Sequence, residues 1–136
     1  QSLNAAPLVV SQLPLRDGEP RPADVIVGSK ADMPGKSIEA IWRDAQAIAG
    51  TRLRHLVMTD GPDPTSVFDG ETESSIPVPM HVTVRDTIGA GDTFSGALIN
   101  GLLNGAKITE AALDASRSTA EWLLNREAMF AEKSNK

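Results

Sequence analysis

Apolar residues fall into short blocks along the chain, and their spacing switches between two periods. "ADVIVGS" (residues 23–29) and "RHLVMT" (residues 54–59) are brief, β-branched apolar runs that predict buried strands. Between them, Pro34 and Gly35 mark a loop and Ser37 stands where a helix cap belongs. Ile38, Ile41, Trp42, Ala45 and Ile48 then recur on one helical face, and Gly50 ends the helix. The second strand runs into the turn-rich "DGPDPT". "SVFDG" and "HVTV" read as short antiparallel pieces flanking a polar loop with Pro77 and Pro79. After Gly91 a helix fits, with Phe94, Ala97, Leu98, Gly101 and Leu102 at helical spacing. A last helix is expected from about Thr109, as its cap, to about Asn125. The end of the chain, residues 129–136, reads as a polar, frayed tail. Strand, helix, strand, a small antiparallel patch and two helices predict an α/β sandwich with a mainly parallel sheet flanked by helices.

Composition narrows the partners. At 136 residues the chain has room for one compact domain. A formal charge of -5 argues against a nucleic-acid surface, so any anion must be held locally, by backbone N–H groups or a few bases. With two Trp, three Phe and no Tyr, a base-stacking platform is not expected. The absence of cysteine excludes disulfides, thiol catalysis and cysteine-ligated metal, and fits a cytoplasmic protein. No apolar run has the length of a membrane span, so no membrane partner is expected.

The stretch that asks for a chemical explanation is "RDTIGAGDTFSGAL", residues 85–98. Gly89 and Gly91 let the backbone turn sharply and let a ligand approach the main chain. The helix that follows leaves its first N–H groups without internal partners and carries partial positive charge at that end. Together these features suit a phosphate. Asp92 sits in the first helical turn, where an acid beside an anion site needs a purpose; accepting a proton from an attacking hydroxyl is one. Phosphoryl transfer passes through a loose transition state, so positioning and charge stabilisation supply most of the catalysis. The amides around Ala90, Gly91 and Asp92 would stabilise charge on the transferring group. The stretch lacks the Gly-Lys-Ser/Thr ending of a Walker loop, and Phe94 stands where the dinucleotide fingerprint has its third glycine.

"DTIGAGDTFSGAL" closely resembles the signature of the ribokinase-like (PfkB) carbohydrate kinases, Asp-Thr-x-Gly-Ala-Gly-Asp-x-Phe-x-Gly, at every fixed position. Other segments follow in order. "LNAAP" (residues 3–7) is similar to the family's Asn-Pro-Ala-Pro segment, "ADVIVGSKADM" to the strand leading into its Asn-x-x-Glu motif, and "LVMTDG" to its Thr-x-Gly strand end. "IPVP" is similar to the strand pair before the signature. The resemblance covers nearly the whole chain but only the C-terminal half of the family's fold, taken here as residues 1–128. It implies an ATP-dependent kinase acting on a hydroxyl of a sugar or sugar-like molecule. Asp92 would be the base, and Gly89, Ala90 and Gly91 the anion hole. Thr59 and Gly61 would line the nucleotide site with Ser29 and Asp32. Asp32 would reach magnesium through water, the metal arriving with ATP, and Asp86 would mark the place of a monovalent cation such as K+. The partners implied are ATP, the sugar-like substrate, the N-terminal half of the same fold or a partner chain, and a second copy in a homodimer. A portion of the fold by itself would present an incomplete sheet edge and is expected to be poorly stable or associated.

Departures from the family pattern keep two other readings open. Asn-x-x-Glu is replaced by Ser29-Lys30-Ala31-Asp32, Pro64 stands at the usual second glycine, and the final helix lacks the usual Gly-Ala. A pyridoxal-type kinase is one alternative; a non-catalytic or truncated nucleotide-binding relative is the other. The remaining chemistry-bearing residues have simpler accounts. His55 and His81 have no partner at ligand spacing, Trp42 and Trp122 fall on apolar helix faces, and Asp60, Asp63 and Asp69 suit turns. Arg117, Arg126 and Lys30 read as solvated charges.

Overall fold

The computed structural model describes residues 9–12, 23–61, 63–78 and 90–134. Among these residues, five strands form one sheet in chain order: β1 (Val10–Gln12), β2 (Val25–Ser29), β3 (His55–Asp60), β4 (Asp63–Phe68) and β5 (Glu73–Ile76). The first three are parallel, and β4 and β5 add antiparallel to β3 and then to each other. Helix α1 (Ile38–Ala49) connects β2 to β3, while α2 (Ala90–Leu103) and α3 (Ile108–Ser134) close the described chain. This is the expected α/β architecture.

Alternation along the strands sorts the core into two layers. Val25 and Val27 of β2, Val57 of β3, Val67 of β4 and Ile76 of β5 join Phe94 and Leu98 of α2 and Ala111, Ala112 and Ala115 of α3. Ile26, Leu56, Met58 and Phe68 point the other way, to Ile41, Ala45 and Ala49 of α1. Register keeps like with like: Ile26, Leu56 and Phe68 lie side by side across three strands, as do Val27, Val57 and Val67.

Local chemistry sets the helix ends. Ser37 Oγ accepts the N–H of Ala40 at 3.2 Å, and Gly50 follows the last residue of α1 with φ 71°, both as expected. At the end of α2, the N–H of Ala106 donates to Gly101 O and that of Gly105 to Leu102 O, with Gly105 at φ 89°. That pair of bonds is a Schellman motif, and it turns the chain straight into α3. The two helices approach closely at Gly101, where a Cβ would lie 3.1 Å from that of Ala111.

Four expectations are corrected. Thr109 is the second residue of α3 rather than its cap; the cap is Lys107, whose N–H donates to Glu110 Oε1 at 3.2 Å. The helix does not stop near Asn125 but runs to Ser134, through much of the stretch read as a frayed tail. The partner of β4 is Glu73–Ile76, within what was read as a polar loop; among the described residues β5 is the last strand of the sheet, and with only Ile76 buried its sequence carries no apolar run. "DGPDPT" is mostly strand, with Asp60 opposite Asp63 across a tight turn at Gly61. "HVTV", His81 and "LNAAP" lie outside the described residues.

Trp42 meets Phe68 edge to face, with ring centroids 5.6 Å apart. Asp69 Oδ1 accepts the N–H groups of Glu71 and Thr72 at 2.8 and 2.7 Å, an Asx turn. Arg117 lies 3.6 Å from Asp114, and the Arg126 guanidinium sits 5.0 Å over Trp122.

One acid ties the amino ends of the three parallel strands together. Asp24, just before β2, accepts Arg52 Nε at 3.0 Å and Arg52 Nη2 at 3.1 Å, and its Oδ2 also takes the N–H of Val9 at 2.8 Å. Its backbone carbonyl accepts the N–H groups of Arg54 and His55. The Arg52 hydrogen bonds hold the carboxyl below its usual 3.8 against the opposing effect of burial, and the bond from Val9 adds to the lowering. Since the unfolded chain binds the proton more readily, this contribution to stability is full above the usual value and is lost as pH falls through the depressed one. In acid titrations of stability, the gap between wild type and Asp24→Asn is expected to be largest above about pH 4 and to close below it.

Gly70 offers a second test. Its φ is 98°, and an added Cβ would stand 3.0 Å from the Trp42 indole; Gly35, at φ 80°, has open space around it. Gly70→Ala is expected to cost about 1–3 kcal/mol more than Gly35→Ala in denaturant unfolding, the difference reporting the contact with Trp42. Equal losses would assign the cost to backbone conformation alone.

Candidate functional site

The carboxyl ends of β1, β2 and β3 meet the first turns of α2 in a cleft of about 180 Å³. Gln12, Val27, Gly28, Ser29, Asp32, Thr59, Gly91, Phe94 and Ser95 line it. In open α/β sheets this is where ligands bind, because loops leave the strand ends there and a helix N-terminus can face the opening. The volume falls below the roughly 300–1,000 Å³ of sites that enclose a whole small molecule.

Each wall has a local cause. Ser29 ends β2, and its Oγ accepts the N–H of Ala31 at 3.3 Å, capping the short 3-10 turn Lys30–Asp32. That turn brings Asp32 to the cleft with an exposed carboxylate. The irregularity in the β3–β4 pairing falls between Met58 and Asp60, at Thr59. Irregularities of this kind re-aim side chains near sites. Thr59 Oγ1 donates to Gly28 O at 3.3 Å, which places its hydroxyl between the ends of β2 and β3.

The helix side is built from small residues. Ala90 opens α2, Gly91 lines the cleft, and Phe94 is buried beneath it against the sheet. Gly91 does not need its glycine for a sharp turn, contrary to expectation: it lies inside the helix without a left-handed φ, and among the described residues an added Cβ would meet nothing within 4 Å. Asp92, the next residue, is exposed and does not line the cleft wall.

Of the residues singled out in the sequence, Ser29, Asp32, Thr59 and Gly91 are brought together here, with Ala90 and Asp92 flanking Gly91. Gly61 is an exposed turn residue with φ 57° and is not part of the lining. Gly89 and Asp86 lie outside the described residues. Sequence reasoning missed Gln12 and Ser95. Ser95 sits at a free position of the signature, and the short strand holding Gln12 carries no motif.

Among the described residues, no group of three or more His, Asp or Glu side chains is arranged to hold a metal ion, and no helix is long and apolar enough to cross a membrane. His55, half-buried at the start of β3, has its pKa lowered by burial, partly offset by Asp69. It lies at the opposite end of that strand from the cleft.

The pfkB family carbohydrate kinase model matches residues 23–134. The chain belongs to that family. Ribokinase from Thermotoga maritima superposes with a TM-score of 0.67 at 16% identity, covering 88% of this chain and 43% of its own. The Arabidopsis thaliana ribokinase complexed with ribose and ATP gives 0.65 at 18%, covering 86% and 41%. Adenosine kinase from Anopheles gambiae, in complex with P1,P4-di(adenosine-5) tetraphosphate, gives 0.59 at 25%, covering 74% and 34%. The sheet and its helices are thus those of a ribokinase-like fold, and the pfkB chain spans about two fifths of the length of the ribokinases it matches.

Stability separates the two accounts of Gly91. A helical glycine kept for packing resists substitution, whereas one kept for a ligand does not. Gly91→Ala is expected to leave thermal stability unchanged or raise it by up to about 1 kcal/mol. A clear loss of stability would show that the backbone there serves the fold.

Proposed function

We propose that this chain is the nucleotide-binding and catalytic part of an ATP-dependent kinase, which transfers the γ-phosphate to a hydroxyl of a sugar or sugar-like acceptor. The observation that carries the reading is the start of α2, glycine-bearing and followed by Asp92, set at the carboxyl ends of three parallel strands beside Ser29, Asp32 and Thr59. The likeness to an adenosine kinase at 25% identity supports a nucleoside as a second acceptor class in this reading.

In this reading the amides of Ala90 and Gly91, with Gly89 before them, hold the phosphoryl group as charge shifts over its oxygens. The acceptor oxygen forms a bond to the γ-phosphorus as the bond to the β-phosphate oxygen breaks. Asp92 accepts the hydroxyl proton, and its exposure leaves room for an acceptor to reach it. Thr59 and Ser29 offer hydroxyls to the polyphosphate, with Gly61 shaping the turn beyond Thr59. The donors around the cleft are oxygens and amides, a set that fits magnesium brought in by a nucleotide rather than held in a protein cage. Magnesium so carried supplies neutralising charge to the phosphates, and Asp32 would orient its water. The same reading gives a monovalent cation such as K+ to Asp86.

Asp92→Asn in the full-length protein is expected to lower kcat by about 10²–10⁴-fold while ATP affinity stays near that of the wild type. Retention of most of the rate would remove Asp92 from the chemistry. Gly91→Ala, expected to be harmless to the fold, should weaken ATP binding; unaltered affinity would place the phosphates elsewhere.

A further inference from the structure

One wall of the cleft is joined to another by side chains that no motif includes. Gln12 Nε2 donates to Ser95 Oγ at 2.7 Å, across 83 positions of chain. Gln12 is the last residue of β1 and lies in register with Val27 of β2. Ser95 is in the second turn of α2 and only 5% exposed. Both line the cleft beside Gly91.

The bond does something that the apolar contacts of α2 do not. Phe94 and Leu98 fasten the helix to Val25, Val27 and Val57 by burial, which is non-directional and tolerates small shifts along or about the helix axis. Gln12 is exposed at the end of β1, and a hydrogen bond from it loses strength steeply with angle and distance, so the bond favours one axial position of the first two turns. The height of the Gly91 backbone relative to Ser29 and Thr59 depends on that position. We propose that Gln12 is a positioning residue: through Ser95 it sets where the N-terminus of α2 sits against the strand ends, and thereby the rate of phosphoryl transfer. This rests on the kinase reading above for its kinetic consequence.

Gln12→Met keeps the side-chain length and removes the amide, and Ser95→Ala removes the acceptor. In the full-length protein each is expected to lower kcat about tenfold, less than the hundredfold that a shift of about 1 Å can bring. KM for ATP should change less than about threefold, because the phosphates keep their donors. The double variant should be no slower than the poorer single one within about twofold, since both remove one interaction. Unchanged kcat in the singles, or losses that multiply in the double, overturns the proposal.

Amide hydrogen exchange supplies a readout that needs no turnover. The N–H groups of Gly96 and Ala97 bond back to first-turn carbonyls in an α-helix, and they should exchange about three- to tenfold faster in either single variant. Exchange identical to wild type overturns the proposal whatever the enzyme does. A wild-type protein that binds ATP and phosphorylates no acceptor sinks the kinase reading instead, and the exchange rates still decide the role of the hydrogen bond.

Discussion

Burial of β2 and β3 on both faces is the constraint on which the rest of the structure depends. Val27 and Val57 face one helical layer, and Ile26, Leu56 and Met58 face the other. A slip of one residue in either strand would exchange the two sets, so the register is fixed by the cost of mismatching both layers at once. The demand for cover on two sides forces α1 to one face and the α2–α3 pair to the other. Alanines at 111, 112 and 115 let α3 lie close, and Gly101 lets α2 meet it. With the pair held in that way, α2 begins where the parallel strands end.

A chain with a net charge of -5 is a poor attractor of anions in bulk, which makes the local chemistry of the cleft decisive. Among the described residues no lysine or arginine lines it; its polar side chains are the hydroxyls of Ser29, Thr59 and Ser95, the Gln12 amide and the Asp32 carboxylate. Among the described residues Asp32 is the one charged side chain in the lining. Family membership rests on sequence and the cleft on geometry, so the two are independent observations.

Much of the fold was legible because strong periodicity and strong punctuation coincided. Ser37 and Gly50 bracket α1 in the structure as in the sequence, and the two-faced strands at 25–29 and 55–60 read as apolar runs. The misses share a physical cause: weak local signals overridden by tertiary contacts. Glu73–Ile76 is polar but pairs with β4, and Thr109 looks like a cap although the Lys107 backbone and Glu110 do that work. Within the site, Ser29, Asp32 and Thr59 were reachable through the family resemblance, and the structure adds that Ser29 caps the turn at Asp32 and that Thr59 bonds Gly28. Gln12 and Ser95 were not, because a hydrogen bond spanning 83 positions leaves no mark on local pattern.

The two ends of the parallel strands are treated in opposite ways, and the contrast connects stability to function. At the amino ends Asp24 gathers the start of each strand, taking the N–H of Val9, the Arg52 guanidinium and, through its carbonyl, the N–H groups of Arg54 and His55. A charged pair in that half-buried place is well satisfied, and it leaves the strands little freedom to slide. At the carboxyl ends the groups are spaced apart and linked singly: Gln12 to Ser95, Thr59 to Gly28, Ser29 to Ala31. Strands pinned at one end and covered on both faces make a rigid platform, so single hydrogen bonds suffice to aim the groups at the other.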